Sequence, residues 1–152
     1  MSILFVNGSP NKRGNTARLA NTLLEGRDFN TLNLVDYRIF SYGQRFDNDQ
    51  LDEVLSAMKD ADTIVMGSPV YWHNLSGAVR NLLDRLYEAL PYGRDGQLSG
   101  KKLVLLFQGA APKPWMIEAG AYSISKFCEV YGLEYLGVAS TKSEAKNLSR
   151  LL

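Results

Sequence analysis

The sequence predicts a doubly wound α/β fold: a five-stranded parallel sheet of order 2-1-3-4-5 between two layers of helices. Three observations lead there. Short apolar runs alternate strictly with helical patterns along the 152 residues, the signature of a parallel sheet covered on both faces. The first, third and fourth runs are close to continuously apolar, as double burial requires. Gly-Ser-Pro triplets at Gly8–Pro10 and Gly67–Pro69 each follow one of these runs, where a strand must turn into a helix.

Taken in order, Ile3–Val6 is the first strand. Thr16–Glu25 carries Leu19, Ala20, Leu23 and Leu24 at helical spacing and stops at Gly26. Thr31–Val35 is the second strand, and Asp36–Asp49 a polar and aromatic loop. Leu51, Val54, Leu55 and Met58 mark a second helix, with Asp47 and Asp49 at its positive end. Thr63–Met66 is the third strand. Val79, Leu82, Leu83 and Leu86 stripe a third helix over Gly77–Tyr87, where Asp84 and Arg85 fall on the solvated face. Lys102–Phe107 is the fourth strand. Ile117, Ala121, Ile124, Phe127, Cys128 and Tyr131 stripe a fourth helix ended by Gly132. Tyr135–Ala139 is the fifth strand, and Ala145, Leu148 and Leu152 suggest a last helix capped by Ser143.

Length and composition bound the rest. One domain over residues 1–152 is expected, able to bury roughly 68–70% of its unfolded surface. The formal charge of +1 and the lack of a basic run argue against nucleic acid and anionic membranes. The single cysteine, Cys128, allows no internal disulfide and reads as a buried, inert thiol. One cysteine and one histidine, His73, far apart in sequence, do not make a metal site. No signal segment and no apolar stretch near the ~20 residues of a membrane span stand out, so a cytoplasmic protein is expected.

Function enters through the two turns. Right-handed crossovers put the helices after strands 1 and 3 on opposite faces, so a crevice opens at the carboxyl ends of those strands. Both triplets sit there. In "GSPNKRGNT" the turn ends at a helix N-terminus, whose first N–H groups lack partners and whose dipole favours an anion. Ser9, Asn11, Asn15 and Thr16 add donors, Lys12 adds charge and Gly14 lets the backbone turn. The spacing is neither a Walker A loop nor a dinucleotide fingerprint, and no cysteine nucleophile is near. The loop therefore reads as binding a phosphate rather than cleaving one, against the plainer reading of a capped turn. In "GSPVYWHNLSG" Tyr71 and Trp72 stand in a polar turn, placed to face a flat ring or to pack on the third helix. A phosphate beside one turn and a ring beside the other describe a mononucleotide, and FMN fits.

The stretches "GSPNKRGNTARLA" and "GSPVYWHNLSGAVRNLLDRL" together resemble the NADPH-dependent FMN reductases of the flavodoxin-like superfamily. The resemblance implies a flavodoxin-like three-layer sandwich, bound FMN, NADPH or NADH as co-substrate, and a homodimer. It implies that Ser9, Asn11, Asn15 and Thr16 hold the phosphate. Pro69, Val70, Tyr71, Trp72 and His73 would line the ring, and Gln108, Gly109, Ala110 and Ala111 would add contacts. Members with an iron–sulfur cluster carry Cys-x-x-Cys after the second strand; here "DYRIFSYGQRFDN" holds no cysteine. "FQGAAPKPW" departs from the Thr-Gly-Gly pattern common after the fourth strand. Hydride would pass from the nicotinamide through FMN to a small acceptor such as a flavin or quinone, with no protein acid, base or nucleophile required. An FMN electron carrier docking to protein partners is the alternative, and a flavin-free binding protein on the same scaffold is a third reading. Tyr42 and Arg45 could reach the open face of the ring, although a solvated loop is the favoured reading, and Trp115 could cap the pocket, pack across a dimer or pack in the core.

Overall fold

The computed structural model describes residues 1–91 and 96–152. The elements run β1 (Ile3–Asn7), α1 (Asn15–Leu23), β2 (Asn30–Asn33), α2 (Leu51–Asp60), β3 (Thr63–Tyr71), β4 (Asn74–Leu75), α3 (Gly77–Ala89), β5 (Lys102–Gln108), α4 (Pro114–Tyr131), β6 (Glu134–Ala139) and α5 (Lys142–Ser149), with a 3-10 turn at Leu34–Asp36. The parallel sheet has the order β2-β1-β3-β5-β6. Leaving out the small β4, this is the expected 2-1-3-4-5, so the reversal of strand order falls between β1 and β3.

Strand alternation divides the core. Ile3 and Phe5 of β1 pack with Leu19, Ala20 and Leu23 of α1 and Ala145 of α5. Leu4 and Val6, one residue out of step, face Val54 and Met58 of α2, Val79 and Leu82 of α3, and Ile124 of α4. Three layers result. Among the described residues no helix is long and apolar enough to cross a membrane.

Several elements differ from expectation for local reasons. The third strand does not stop at Met66 but continues through Gly67–Tyr71, pairing Gly67, Ser68 and Pro69 with Leu106, Phe107 and Gln108. Proline is tolerated so near the strand's end because it forfeits only one ladder donor. A sixth strand follows: Val70 and Tyr71 pair antiparallel with Leu75 and Asn74, leaving Trp72 and His73 as a two-residue hairpin turn. The second strand is Asn30–Asn33, and its expected end at Leu34–Val35 is taken up by the 3-10 turn. The last helix is capped by Thr141 rather than Ser143. The Thr141 hydroxyl accepts the Glu144 N–H while the Glu144 carboxylate accepts the Thr141 N–H, a reciprocal capping box.

Arg85 corrects a further expectation. It is 9% exposed rather than solvated. Its guanidinium donates to the Phe40 carbonyl (2.8 Å), to Asp49 Oδ2 (2.6 Å) and to Glu88 Oε2 (3.0 Å). Asp49 also accepts the Phe40 N–H and the Leu51 N–H that starts α2. The long segment after β2 is thereby fastened to α3.

Candidate functional site

The turn after β1 is built by its own short polar side chains. Asn7 Oδ1 accepts the Ser9 N–H at 3.1 Å, Ser9 Oγ accepts the Asn11 N–H at 3.1 Å, and Asn11 Oδ1 accepts the Arg13 N–H at 3.1 Å. Three successive i→i+2 bonds wind the chain towards α1. The fully buried Asn7 is fixed in turn by a 3.0 Å bond from its amide to Asn33 on β2. The relay ends at Gly14, the N-cap of α1, which offers no side chain to the helix. The first-turn N–H groups of Asn15, Thr16 and Ala17, which a helix cannot satisfy internally, are left to the hollow of the loop.

The second turn is clamped against the first. Gly8 N–H donates to the Gly67 carbonyl at 2.7 Å. The Ser68 hydroxyl accepts the Ser76 N–H at 2.8 Å, and the Ser76 hydroxyl donates to the Gly8 carbonyl at 3.0 Å. Ser76 Oγ also caps α3 by accepting the Val79 N–H. Both serines are buried. The approach is too close for side chains: a Cβ on Gly8 would lie 2.3 Å from Val79 Cγ2, and one on Gly67 2.7 Å from both Phe5 and Thr16. Thr16 is fully buried, and its hydroxyl accepts from Gln108 Nε2 at 3.1 Å, tying the end of β5 to the same place.

Two hollows flank the end of β3. One, of about 320 Å³, is lined by Val70, Trp72, His73, Gly109, Ala110 and Met116 among others. The other, of about 240 Å³, lies between the first turn and the start of α3 and is lined by Ser9, Pro10 and Tyr71. The split follows from the strand: successive side chains point to opposite sides, so Val70 and Tyr71 cannot share a hollow. Pro69 is buried. Gly109 lies against Val70, where a Cβ would sit at 3.1 Å.

The hairpin tip is unusual. Trp72 and His73 adopt φ of 46° and 65°, the left-handed pair of a type I′ turn, which Asn-Gly usually fills. Trp72 is 95% exposed. His73 meets Trp115 edge-on, with centroids 5.4 Å apart. Trp115 sits in the first turn of α4, just after the N1 proline, and is exposed rather than part of the core.

Some candidates stand aside. Lys12 forms an ion pair with Asp36 at 2.6 Å. Arg45 pairs with Glu88, eleven residues into α3 and so about 16 Å along it from Gly77. Tyr42 packs near Tyr87. These contacts hold Arg45 and Tyr42 along α3 and away from the crevice. Cys128 is buried in α4, and desolvation pushes its thiol up to about 12. Asn7, Ser68, Ser76 and Met116 were not anticipated. The alternation of short polar residues at Asn7, Ser9 and Asn11 was a readable signal for the first, whereas the serine clamp joins residues eight and 68 positions apart.

The donor set fits a phosphate monoester. Ser9 Oγ and Thr16 Oγ1 each already accept a hydrogen bond, so each hydroxyl has its hydrogen to give, beside uncapped helix N–H groups. Among the described residues no group of three or more His, Cys, Asp or Glu is arranged to hold a metal ion.

Comparisons with known proteins agree. The profile of the NADPH-dependent FMN reductase family matches residues 1–114. An iron-sulfur flavoprotein of Archaeoglobus fulgidus is 38% identical over 98 residues, 56% of this chain and 48% of that one. The chain spans about half the length of the curated relatives it matches first. Its one cysteine cannot supply the set of thiolates that usually holds an iron–sulfur cluster. Two solved structures share the fold: the Trp repressor binding protein from Bacillus subtilis (TM-score 0.72, 22% identity, 99% of each chain) and an NADH:FMN oxidoreductase in its apo form (TM-score 0.69, 21% identity, 99% of this chain and 87% of that one). The chain belongs to the NADPH-dependent FMN reductase family, whose cofactor set is FMN with NAD(P)H as electron donor.

Proposed function

We propose that residues 1–152 form a single FMN-binding domain that passes hydride from NAD(P)H through FMN to a small acceptor, a flavin, quinone or similar molecule. The observation that carries this reading is the serine clamp. It holds an uncapped helix N-terminus with free hydroxyl donors against the end of β3, whose Tyr71 lines a hollow with Ser9 and whose Val70 lines another with Gly109 and Ala110, at the reversal of strand order.

In this reading the Ser9 and Thr16 hydroxyls, the Asn11 amide and the N–H groups of Asn15 and Thr16 grip the phosphate, and Gly14 leaves room for it. Lys12, tied to Asp36, contributes long-range charge rather than a contact. Val70, Trp72 and His73 with Gly109 and Ala110 face the isoalloxazine, Pro69 and Gln108 fix the strand ends behind it, and Tyr71 closes the neighbouring hollow. FMN, when bound, supplies the hydride chemistry. The protein's part is to orient the ring, shield one side from water and leave the other open. Homodimerisation and a cytoplasmic location belong to the same proposal.

Titrating the protein with FMN, followed by flavin absorbance, and then assaying NADPH oxidation with a quinone tests the reading. Saturable 1:1 uptake and quinone-dependent turnover support it. Uptake without turnover would favour an electron carrier, and no uptake would refute FMN binding altogether.

A further inference from the structure

A third hollow of about 260 Å³ opens at the same sheet edge, between the flank of α1 and the start of α5, lined by Asn15, Arg18, Leu19, Gln108, Ser140 and Lys142. Two of its residues are cations, and neither forms an ion pair among the described residues. Several other cations are engaged, Lys12 with Asp36, Arg85 with Asp49 and Glu88, Lys126 with Glu129, and Lys101 with the Lys59 and Ala61 carbonyls; what sets Arg18 and Lys142 apart from the remaining surface cations is that they share one hollow. Arg18 makes one bond, from Nη1 to Asn15 Oδ1 at 3.2 Å, leaving the rest of its planar fork to donate. No carboxylate lines the hollow. The nearest in sequence, Glu144, is occupied by the Ser140 and Thr141 N–H groups, so the α5 N-terminus is capped from within.

We propose that this hollow is a second anion subsite, distinct from the loop that grips the FMN phosphate, and that it takes the adenosine 2′-phosphate of NADPH. The inference rests on the proposed function for its ligand. Gln108 is common to both places: its side-chain amide donates to Thr16, and the residue also lines this hollow. FMN has a single phosphate, already provided for by Ser9 and Thr16. The next residue, Gly109, lines the proposed ring site. A dinucleotide lying across Gln108–Gly109 with its nicotinamide over the ring can therefore bring its adenosine end to Arg18 and Lys142. A fork-shaped guanidinium and a mobile ammonium, with the Asn15 amide beside them, suit a dianionic monoester better than a pyrophosphate, which carries less charge on each phosphorus; the Ser140 hydroxyl, which donates to the Phe107 carbonyl at 2.8 Å, shapes the wall rather than giving a bond.

The test uses the full chain loaded with FMN. Arg18→Gln/Lys142→Gln is expected to raise KM for NADPH about a hundredfold relative to KM for NADH, the size of two lost charge-assisted contacts of about tenfold each. Lys142→Gln alone, which leaves the Arg18–Asn15 bond intact, moves the ratio in the same direction by a smaller factor. By calorimetry the parent binds adenosine 2′,5′-bisphosphate more tightly than adenosine 5′-monophosphate. Both variants narrow that difference, and added salt narrows it in the parent. An unchanged NADPH-to-NADH ratio in both variants overturns the assignment. So does an equal rise for both coenzymes, which would place the pyrophosphate there, or a weakened FMN affinity, which would return the cations to the FMN phosphate. If the parent takes up no FMN, the functional reading fails by itself, and the calorimetric comparison on the apoprotein still decides the anion site.

Discussion

Replacing Ser76 by alanine removes one oxygen and two hydrogen bonds. Its hydroxyl accepts the Val79 N–H as the N-cap of α3 and donates to the Gly8 carbonyl at 3.0 Å, while the bond from the Ser76 backbone N–H to Ser68 Oγ is untouched. Loss of a serine cap costs about 1 kcal/mol. The Gly8 carbonyl is then left in a buried, water-poor position without that partner, which costs about 1–3 kcal/mol more. A total near 3 kcal/mol corresponds to a fall in Tm of roughly 6–12 °C for a chain of this size. Thermal unfolding by circular dichroism measures it, and FMN titration of the folded variant measures the second consequence, since the two loops are then joined by the Gly8 N–H to Gly67 carbonyl bond without the serine bond beside it. Weaker FMN binding is expected together with the fall in Tm. A Tm within about 1 °C of the parent, or a large fall with unaltered FMN affinity, would refute the claim that the clamp joins stability to the site.

Other expectations follow from the same geometry. Trp72→Asn/His73→Gly puts left-handed residues where φ is already 46° and 65°. Relief of strain, offset by the lost His73–Trp115 contact, should leave the protein about 1 kcal/mol more stable in urea titrations while weakening FMN uptake. Ser9→Ala/Thr16→Ala should weaken FMN binding by about 1.5–3 kcal/mol for each charged hydrogen bond lost, read by fluorescence titration with the fold intact. Burial works to raise the Asp49 pKa, but hydrogen bonds from Arg85, Leu51 and Phe40 outweigh it and hold the carboxyl below its usual value. A depressed folded pKa gives stability that is present above the unfolded value near 4 and is lost as pH falls through the folded one. The stability gap between parent and Asp49→Asn should therefore be widest near neutrality and shrink below about pH 4 in urea titrations. Cys128, buried and pushed up to about 12, should react with a thiol reagent only at the rate of unfolding.

What could be read in the sequence was whatever rests on local pattern. The helix stripes at Leu19–Leu24, Leu51–Met58 and Val79–Leu86 and the apolar strands at Ile3 and Leu103 all repeat at the period of the element they form, and the strand order followed from handedness rather than from any single residue. Arg85 was illegible because its i, i+3 neighbours describe only α3. Its burial is caused by Phe40 and Asp49, which arrive from a segment 36 to 45 positions earlier. Ser76 could be seen as a helix cap but not as a tether to Gly8, since nothing in a chain separation of 68 residues announces a contact.

The hairpin at Trp72–His73 was missed for a different reason, and that reason bears on function. A two-residue type I′ turn is signalled by Asn-Gly or Asp-Gly because those residues enter the left-handed region at little cost. Here two bulky aromatic residues occupy it, in a protein whose core gains nothing from them: Trp72 is 95% exposed. Local preference and observed backbone conflict, and at the tip folding offers only the edge contact of His73 with Trp115 in return. Strain of this kind persists where surrounding structure enforces it and where the side chains serve something other than stability. The enforcement is visible in the β3–β4 pairing and the Ser68–Ser76 bond behind the tip. The service is what the Trp72→Asn/His73→Gly variant isolates. If that variant were both more stable and unimpaired in FMN uptake and turnover, the exposed aromatics would have no part in the site, and the strain would need another cause.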